Sequence, residues 1–299
     1  MHGFESVVSC LLVVGLTVGT APAAEAKIKV LVIGGQNNHD WAKSTPYMEQ
    51  ILKRSDRFDV TVSNTPAHNA PQAAWDAWKP KFADYGCVVL DYNGQPWPID
   101  VQQRFVDYVF GGGGVVAIHA SNNAFTGWKE YEQMVGLLWR GKEYGASLYL
   151  DEAGKLVREA PGQGRGMGHG GQYDWAMTVR DPAHPITEGM PVKWMHKHDE
   201  LYHGQRGPAE NVHILLTAYS DPASGRNGTG KNEPIVWWIP YGAGKVVTNV
   251  MGHVGELGCM ECVGFQVLLD RSCEWAATGK CKTPIPKNFP TAEATSLAP

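Results

Sequence analysis

Short apolar runs, rich in β-branched residues, alternate with amphipathic segments along the first half of the chain. Four such runs predict buried strands, at residues 27–33, 58–62, 87–90 and 115–118. Three segments predict helices, at residues 47–54 (with Ser44-Thr45-Pro46 as its cap), 99–110 and 128–138. Because strands and helices alternate with short connections, the pattern predicts an α/β fold, a doubly wound and mostly parallel sheet with helices on both faces.

The second half of the chain has a different rhythm. Residues 139–172 are dominated by glycine and charged residues, and the run GQGRGMGHGG predicts no regular structure. Strands or extended segments are predicted at residues 173–179, 194–202, 213–217, 235–239 and 245–249, and a closing helix at 263–277. We predict a single domain over residues 27–281, followed by a flexible tail, rich in Pro, Thr and Ala, over 282–299.

The beginning of the chain has the pattern of an export signal. Residues 7–24 form an apolar segment, and Ala24-Glu25-Ala26 supplies a cleavage site of small residues. The apolar core is too short for a membrane span, so the pattern predicts a signal peptide over residues 1–26. We therefore expect an exported protein, periplasmic or secreted, without stable membrane insertion.

Composition and charge narrow the range of partners. The 299 residues are 43% hydrophobic and 19% charged, which is ordinary for a globular protein. A net charge of -4 and a pI near 6.3, without a basic stripe, argue against nucleic acid as a partner. Whether the protein forms a homo-oligomer is left open by the sequence.

The cysteines that follow the predicted signal peptide are odd in number. Cys87 lies in an apolar run and is predicted to be a buried free thiol. In an exported chain the others are predicted to form at least one disulfide, and a zinc–thiolate site is the alternative. These four residues are Cys259, Cys262, Cys273 and Cys281.

Histidines follow three of the predicted strands. His39 comes after the first strand, His119 directly after the strand at 115–118, and His253 after the strand at 245–249. Because the carboxyl ends of parallel strands meet at one edge of the sheet, these three side chains are predicted to converge there. Each histidine alone would be unremarkable as a polar residue ending a strand, but three together are what a metal or acid/base site requires.

The segment WMHKHDELY at residues 194–202 contains a second group of candidates. In an extended segment His196, His198 and Glu200 share one face, whereas Asp199 takes the other. A carboxylate beside histidines suits a divalent metal or an acid/base pair, and a solvated edge strand is the alternative. His169, within the glycine-rich run, sits where the backbone can approach a ligand closely or where a surface loop is simply mobile.

Several motifs together resemble one family. These are VLVIGGQNNHDW, AIHASNNAFTGWKEYEQMVG, GGQYDWAMTVRDPAHPITEGMP, DELY and GKVVTNVMGH, which occur in this order between residues 27 and 277. They look like the motifs of the trehalose-utilisation (ThuA-like) family. The resemblance implies the class I glutamine-amidotransferase-like fold, a three-layer sandwich of flavodoxin-like type. It also implies a role in bacterial sugar catabolism, especially of 3-keto sugars, and metal binding in some members.

The amidotransferase comparison gives a negative result. Those enzymes carry a cysteine after the central strand, where this chain has His119. His253 and Glu256 stand near the usual His and Glu of that fold, with one residue more between them. Since an imidazole cannot replace the thiolate in forming an acyl-enzyme, the chain is not expected to be a thiol glutamine amidotransferase.

The resemblance and the candidate residues together predict an exported enzyme acting on a sugar or 3-keto-sugar derivative, as a hydrolase, lyase or isomerase. A divalent metal, zinc first, is the expected cofactor, and a small carbohydrate the expected partner. The alternatives are a non-catalytic carbohydrate-binding protein and a metal-independent hydrolase or isomerase. Ligand and base roles are not divided by the sequence. The candidate catalytic residues are His119, Glu200, His253 and Tyr202, and the candidate metal ligands are His39, His119, His253, His169, His198 and Asp199.

Overall fold

The computed structural model describes residues 1–3, 26–223, 225–254 and 258–298. The predicted signal peptide, apart from its first three residues and Ala26, and the comparison at Glu256 lie outside the described residues. Across the described ranges, no helix is both long and apolar enough to cross a membrane.

A single large sheet organises the described part of the chain, where eleven strands are joined by backbone hydrogen bonds. They are β1 (Ile28–Gly34), β2 (Phe58–Asn64), β3 (Cys87–Leu90), β4 (Gly114–Ile118), β5 (Ser147–Leu150), β6 (Leu156–Glu159), β7 (Tyr173–Val179), β8 (Lys193–Asp199), β9 (His213–Tyr219), β10 (Asn232–Tyr241) and β11 (Gly244–Asn249).

The sheet has two halves that differ in strand direction. Its order is β2-β1-β3-β4-β11-β10-β9-β7-β8, and the first five strands in this order are parallel. From β11 to β8 every neighbouring pair is antiparallel. The predicted α/β class with a large sheet is confirmed, but the sheet is mixed, because the second half of the chain returns mostly through hairpins rather than helical crossovers.

Helices cover both faces of the parallel half, as its nearly unbroken apolar strands require. One pair, α1 and α6, packs on one face, and α3 and α4 pack on the other. The helices are α1 (Trp41–Arg54), α2 (Gln72–Ala77), α3 (Ile99–Phe110), α4 (Lys129–Val135), α5 (Gly258–Glu261) and α6 (Val263–Thr278).

Helix boundaries depart from the sequence prediction at two places. Helix α1 begins at Trp41 and contains Pro46, so Ser44-Thr45-Pro46 is not its cap; the hydroxyls of Ser44 and Thr45 bond a buried carboxylate instead. Helix α4 ends at Val135 rather than 138, because Gly136 adopts a φ of 72° and stops it.

The region between residues 139 and 172, where the sequence analysis places no strand, contains a hairpin. Strands β5 and β6 pair with each other, and β5 also touches β10 through Leu150 and Asn232. The glycine-rich run itself, residues 162–171, contains neither helix nor strand, as expected. The apolar alternation of β5 is only four residues long, so the surrounding glycines obscured it.

The segment after residue 281 lies against the domain, not loosely on its surface. The backbone N–H of Met195 bonds the carbonyl of Thr291, and that of Val263 bonds the carbonyl of Ser296. The ring of Phe289 packs edge-on against Trp194 with centroids 5.3 Å apart. Two backbone bonds and an apolar anchor outweigh the Pro-rich composition on which the prediction of a loose tail rested.

The predicted disulfide is absent from the five cysteines that the structure describes, all of which are free thiols. Each C-terminal thiol has its own polar neighbour instead. The thiol of Cys259 donates to the carbonyl of His253 at 2.7 Å, and that of Cys281 donates to the carbonyl of Arg271 at 3.3 Å. Proximity in sequence predicted pairing, but helices α5 and α6 direct the thiols to different partners.

Candidate metal centre

Three histidines meet at the carboxyl edge of the parallel half of the sheet. His39, His119 and His253 follow β1, β4 and β11, which run in the same direction and lie close together in the strand order. The ring centroids of His39 and His119 are 4.6 Å apart, those of His39 and His253 4.8 Å, and those of His119 and His253 5.6 Å. The convergence expected from parallel topology is present in the structure.

Glu200, which comes just after β8, adds a carboxylate to the three imidazoles. One ligand atom from each of these four residues lies within 4.8 Å of the others. The Oε2 atom of Glu200 is 3.2 Å from Nδ1 of His253 and 3.7 Å from Nε2 of His119. Three imidazole nitrogens and one carboxylate oxygen are a donor set that zinc and similar divalent ions accept.

His119 is held at the end of β4 by an unusual backbone and two hydrogen bonds. Its φ is +46°, a conformation that a residue with a side chain adopts at some cost. Its Nδ1 lies 2.8 Å from the carbonyl oxygen of Val250, so this nitrogen carries the proton and donates it. The other ring nitrogen, Nε2, is therefore bare and accepts a hydrogen bond from the hydroxyl of Tyr202 at 2.9 Å.

His39 is oriented by a short chain of polar side chains. The amide oxygen of Asn37 lies 3.1 Å from its backbone nitrogen and 3.4 Å from its Nδ1. The amide nitrogen of Asn37 in turn bonds the buried carboxylate of Asp91, which also receives the hydroxyls of Ser44 and Thr45 at 2.6 Å each. Because Nδ1 of His39 faces the amide oxygen of Asn37, Nε2 is left as the free nitrogen of the ring, as in many histidine ligands.

Asp199 ties the two halves of the sheet together beneath the cluster. Its Oδ2 accepts hydrogen bonds at 2.8 Å from Nε2 of His196 and from the backbone N–H of Gly252. Its Oδ1 accepts the backbone N–H groups of Glu200 and His253, at 2.8 and 3.2 Å. A single buried carboxylate thus fixes the backbone that carries both Glu200 and His253, so Asp199 supports the cluster and is not one of its four members.

The glycine before His253 is required by its surroundings. Gly252 has a φ of +111°, and a Cβ there would lie 3.1 Å from the ring of Phe265 and 3.4 Å from Ile118. The turn after β11 therefore brings its backbone close to the sheet and directs His253 to the cluster.

His198, a predicted metal ligand, points away from the site. The register of β7 and β8 pairs Trp175 with His196 and Tyr173 with Asp199, so β8 carries one residue more than β7 at this point. The extra residue forms a bulge in which His198 has a φ of +34°, an exposed side chain and a backbone N–H bonded to Asp174. The bulge breaks the alternation on which the prediction rested, so Asp199 and Glu200 are both buried.

A cavity of about 200 Å³ opens beside the cluster. His169 and Tyr202 line it, with Nδ1 of His169 at 3.6 Å from Oε1 of Glu200 and 2.6 Å from the carbonyl of Gly170. His169 therefore faces Glu200 from outside the four-residue cluster. The ring of Trp139 packs edge-on against Tyr202 with centroids 4.7 Å apart, and Trp139 also lines the cavity.

Burial and mutual repulsion keep two of the imidazoles neutral. Burial, with the neighbouring His119 and His253, lowers the pKa of His39 from 6.5 to about 3. Burial also lowers the pKa of His119, and the attraction of Asp199 and Glu200 only partly offsets this effect. Both rings therefore keep lone pairs available at neutral pH, which ligation to a metal requires.

The carboxylate of Glu200 is paired electrostatically with His253. Burial alone would raise the pKa of Glu200, but His253 and then His119 lower it overall. Burial alone would lower the pKa of His253, but the attraction of the Glu200 carboxylate is stronger and raises this pKa overall. Nδ1 of His253 is nevertheless buried without an aligned hydrogen bond. This nitrogen is the polar atom of the cluster most in need of a partner.

Two residues that support the cluster, His196 and Asn37, are not among the site residues predicted from the sequence. His196 is fully buried beside Asp199, and burial lowers its pKa while its bonds to Asp199 and Cys262 raise it, with a net rise to about 9. Cys262 has a lowered pKa, since the contact with His196 outweighs its burial. The alternation in WMHKHDELY places His196 on the same face as Glu200, and the strongly polar run QNNHD after β1 is the signal for Asn37.

Comparisons with known proteins agree with the fold and with the family resemblance. The family model for ThuA, described as trehalose utilisation, matches residues 29–276. The solved structure of a ThuA-like protein from Parabacteroides merdae ATCC 43184 is 41% identical, with a TM-score of 0.86, and the match covers 91% of this chain and 98% of that one. A ThuA-like protein from Bacteroides uniformis ATCC 8492 is 18% identical, with a TM-score of 0.57 and coverages of 88% and 97%, which shows similarity of fold alone. No curated protein sequence matches this chain.

Proposed function

The chain belongs to the ThuA (trehalose utilisation) family, and from this premise we propose that it is a metal-dependent enzyme of carbohydrate catabolism. Its substrate would be a sugar or 3-keto-sugar derivative, and its reaction a hydrolysis, elimination or isomerisation. We also propose that it is exported after loss of residues 1–26. Its sheet order and the left-handed His119 after β4 fit the class I glutamine-amidotransferase-like fold with the nucleophilic thiol replaced by an imidazole.

The observation that carries the proposal is the way in which the imidazoles are fixed. His39 and His119 each direct Nδ1 to an oxygen acceptor, the amide of Asn37 or the carbonyl of Val250, which leaves Nε2 unprotonated on both rings. Histidine ligands in metal sites are characteristically oriented by such acceptors. A cluster that served only the packing of the core would not need two preset tautomers beside a carboxylate.

The four residues fit a divalent ion by their chemistry. His39, His119, His253 and Glu200 provide three imidazole nitrogens and one carboxylate, with zinc as the first candidate. The unpartnered Nδ1 of His253 and the cost of burying three imidazoles together both favour an ion at their centre. Such an ion would act as a Lewis acid that polarises a carbonyl or hydroxyl oxygen of the substrate.

The other groups at the cavity would bind the substrate and transfer protons. Burial, with the charges of Glu200 and Asp199, raises the pKa of Tyr202, so its phenol stays protonated. Its O–H bonds Nε2 of His119 and would become available to orient a sugar hydroxyl if that nitrogen held a metal. Glu200 and His253, whose Oε2 and Nδ1 lie 3.2 Å apart, are also our candidates for general acid/base catalysis. The wall formed by Trp139 offers an aromatic face to a sugar ring, as apolar sugar faces require.

The decisive measurement is the metal content of the purified protein and of its His119→Ala variant, determined by plasma mass spectrometry. We expect close to one divalent ion per chain in the wild type. His119→Ala should lose it, with a cooperative unfolding transition retained, because the change removes a side chain at a strand end. The matched control is His198→Ala. His198 lies two residues before Glu200 in the sequence, but its ring is exposed and points away from the site, so this variant should keep full metal content.

Turnover of a 3-keto glycoside, with and without a chelator, then separates the remaining functions. Turnover that the chelator abolishes supports the proposal. Bound metal without turnover of any keto-sugar would instead indicate a carbohydrate-binding protein. Turnover by metal-free protein would indicate a metal-independent hydrolase or isomerase, and equal metal content in His119→Ala and the wild type would remove His119 from the site.

A further inference from the structure

Beside the catalytic cavity lies a second, wider depression at the same edge of the sheet. It has a volume of about 650 Å³ and is formed by the loops after β1, β2 and β3 together with the start of α1. Asn38 lines both the depression and the smaller cavity that contains His169 and Glu200. The two spaces are therefore neighbours across one side chain, and we call the wider one the amide groove.

The size of the inner cavity indicates that a ligand must extend beyond it. Pockets for small-molecule ligands usually enclose roughly 300–1,000 Å³. The inner cavity, at about 200 Å³, is below that range, whereas the amide groove adds about 650 Å³. A ligand with one ring in the inner cavity has room for a second ring in the groove.

The polar groups of the groove suit hydroxyl groups rather than charges. Within the described residues, neither cavity is lined by a lysine or an arginine. The amide nitrogens of Asn38 and Gln95 and the amide oxygen of Asn93 have no hydrogen-bond partner in the described part of the chain. Amides offer donors and acceptors side by side, which matches a sugar hydroxyl that both donates and accepts. In the amide groove, whose lining includes one imidazole, that of His68, a phosphate or carboxylate would find no lysine or arginine.

Trp41 supplies the aromatic surface that a sugar ring needs. All 11 tryptophans fall within the described residues, and ten of them belong to the hydrophobic core or pack against it. Trp41 is the exception: it is half-buried, lines the amide groove and packs against no other aromatic ring in the described ranges. A large aromatic side chain that does not pack in the core and faces a polar groove is typical of a binding surface.

We propose that the amide groove is a second sugar subsite, in which a neutral pyranose ring stacks on Trp41 while its hydroxyls bond Asn38, Asn93 and Gln95. The ligand of this protein is then an uncharged glycoside with at least two rings. This inference rests on the proposed function for the choice of a sugar. It adds that the substrate spans both cavities and carries no phosphate.

Calorimetric titration of the metal-loaded protein with glucose, trehalose, maltose and glucose 6-phosphate tests the subsite. We expect at least one disaccharide to bind about tenfold more tightly than glucose, and glucose 6-phosphate to bind no better than glucose. Trp41→Ala should remove this tenfold preference and leave the affinity for glucose unchanged. Trp41→Phe, which keeps a ring, should restore most of it, and Asn93→Ala should reduce it less than Trp41→Ala does.

The control is Phe110→Ala, which removes another exposed aromatic ring at the opposite edge of the sheet, where α3 leads into β4. It should bind every sugar as the wild type does, and thermal unfolding should show that all variants are folded. Failure of both disaccharides to bind the wild type more tightly than glucose would overturn the subsite, as would an unchanged preference in Trp41→Ala.

The metal measurement keeps the two proposals separate. Full metal content without a disaccharide preference would remove the subsite and leave the proposed metal centre intact. A preference that depends on Trp41 in a protein that never binds metal would preserve the subsite and overturn the metal-dependent chemistry.

Discussion

The parallel and antiparallel halves of the sheet contribute to the candidate site in different ways. The parallel half brings His39, His119 and His253 to one edge simply because each follows a strand that runs in the same direction. The antiparallel half contributes Glu200 through a bulge at His198 that interrupts regular alternation. One half thus positions its residues by topology and the other by a local irregularity.

The difference indicates how each half is stabilised at the site. Two histidines of the parallel half, His39 and His119, are oriented by acceptors close to them, the amide of Asn37 and the carbonyl of Val250. Glu200 depends on Asp199, whose buried carboxylate joins the bulge to the turn after β11. We therefore expect damage to Asp199 to affect the whole molecule and damage to Asn37 to affect the metal alone.

Asp199→Ala should have the largest effect on stability. The change leaves His196 buried without its anion and frees three backbone N–H groups, so we expect a loss of about 3–5 kcal/mol in the free energy of unfolding, measured in urea. The matched control is Asp174→Ala on the same pair of strands, a partly exposed aspartate that also bonds a backbone N–H and a lysine. It should cost about 1 kcal/mol or less. Equal losses would show that the Asp199 network does not support the antiparallel half.

The difference in stability between the wild type and Asp199→Ala should depend on pH, and the pKa shifts of His196 and Asp199 determine in which direction. Because the pKa of His196 is raised from 6.5 to about 9, its contribution is complete below pH 6.5 and is lost as the pH rises through about 9. The pKa of Asp199 is lowered, so its contribution is present above its usual 3.8 and is lost as the pH falls below that value. The gap in stability between wild type and Asp199→Ala should therefore be widest between about pH 4 and 6.5.

Asn37→Ala tests the support of the parallel half. The change removes the acceptor at Nδ1 of His39, and loss of such a partner typically weakens metal binding by about 10–100-fold. Competition with a chelator of known affinity would measure the shift. Asn93→Ala, which removes an amide from the same edge without contacting His39, should leave metal affinity unchanged. An equal loss in both variants would point to a general disturbance of this edge.

His198→Gly should have the smallest effect, and it tests the bulge. A glycine adopts the φ of +34° without strain, but it also makes the unfolded chain more flexible, which opposes folding. Because these two effects partly cancel, we expect the free energy of unfolding to change by about 0.5 kcal/mol or less. Metal content should not change. If this variant lost its metal, the ring of His198 would have to reach the site, and the bulge would not exist in solution as described.

The sequence by itself determined much of the parallel half. Unbroken apolar strands such as residues 115–118 must be buried on both faces, and parallel strands must end at the same edge. These two constraints were enough to predict that His39, His119 and His253 converge, without knowing the order of the strands. Three of the five motifs that carry the family resemblance, VLVIGGQNNHDW, AIHASNNAFTGWKEYEQMVG and GKVVTNVMGH, lie at those same strand-to-loop junctions.

Only the tertiary structure decided the antiparallel half and the supporting contacts. Alternation in WMHKHDELY predicted that His198 faces the site, but a bulge depends on pairing with β7, which is remote in sequence. The same dependence on partners explains the free thiols of Cys259 and Cys262, whose partners belong to other elements. Periodicity records which side of a strand is buried, whereas register and long-range hydrogen bonds arise only when the strands meet.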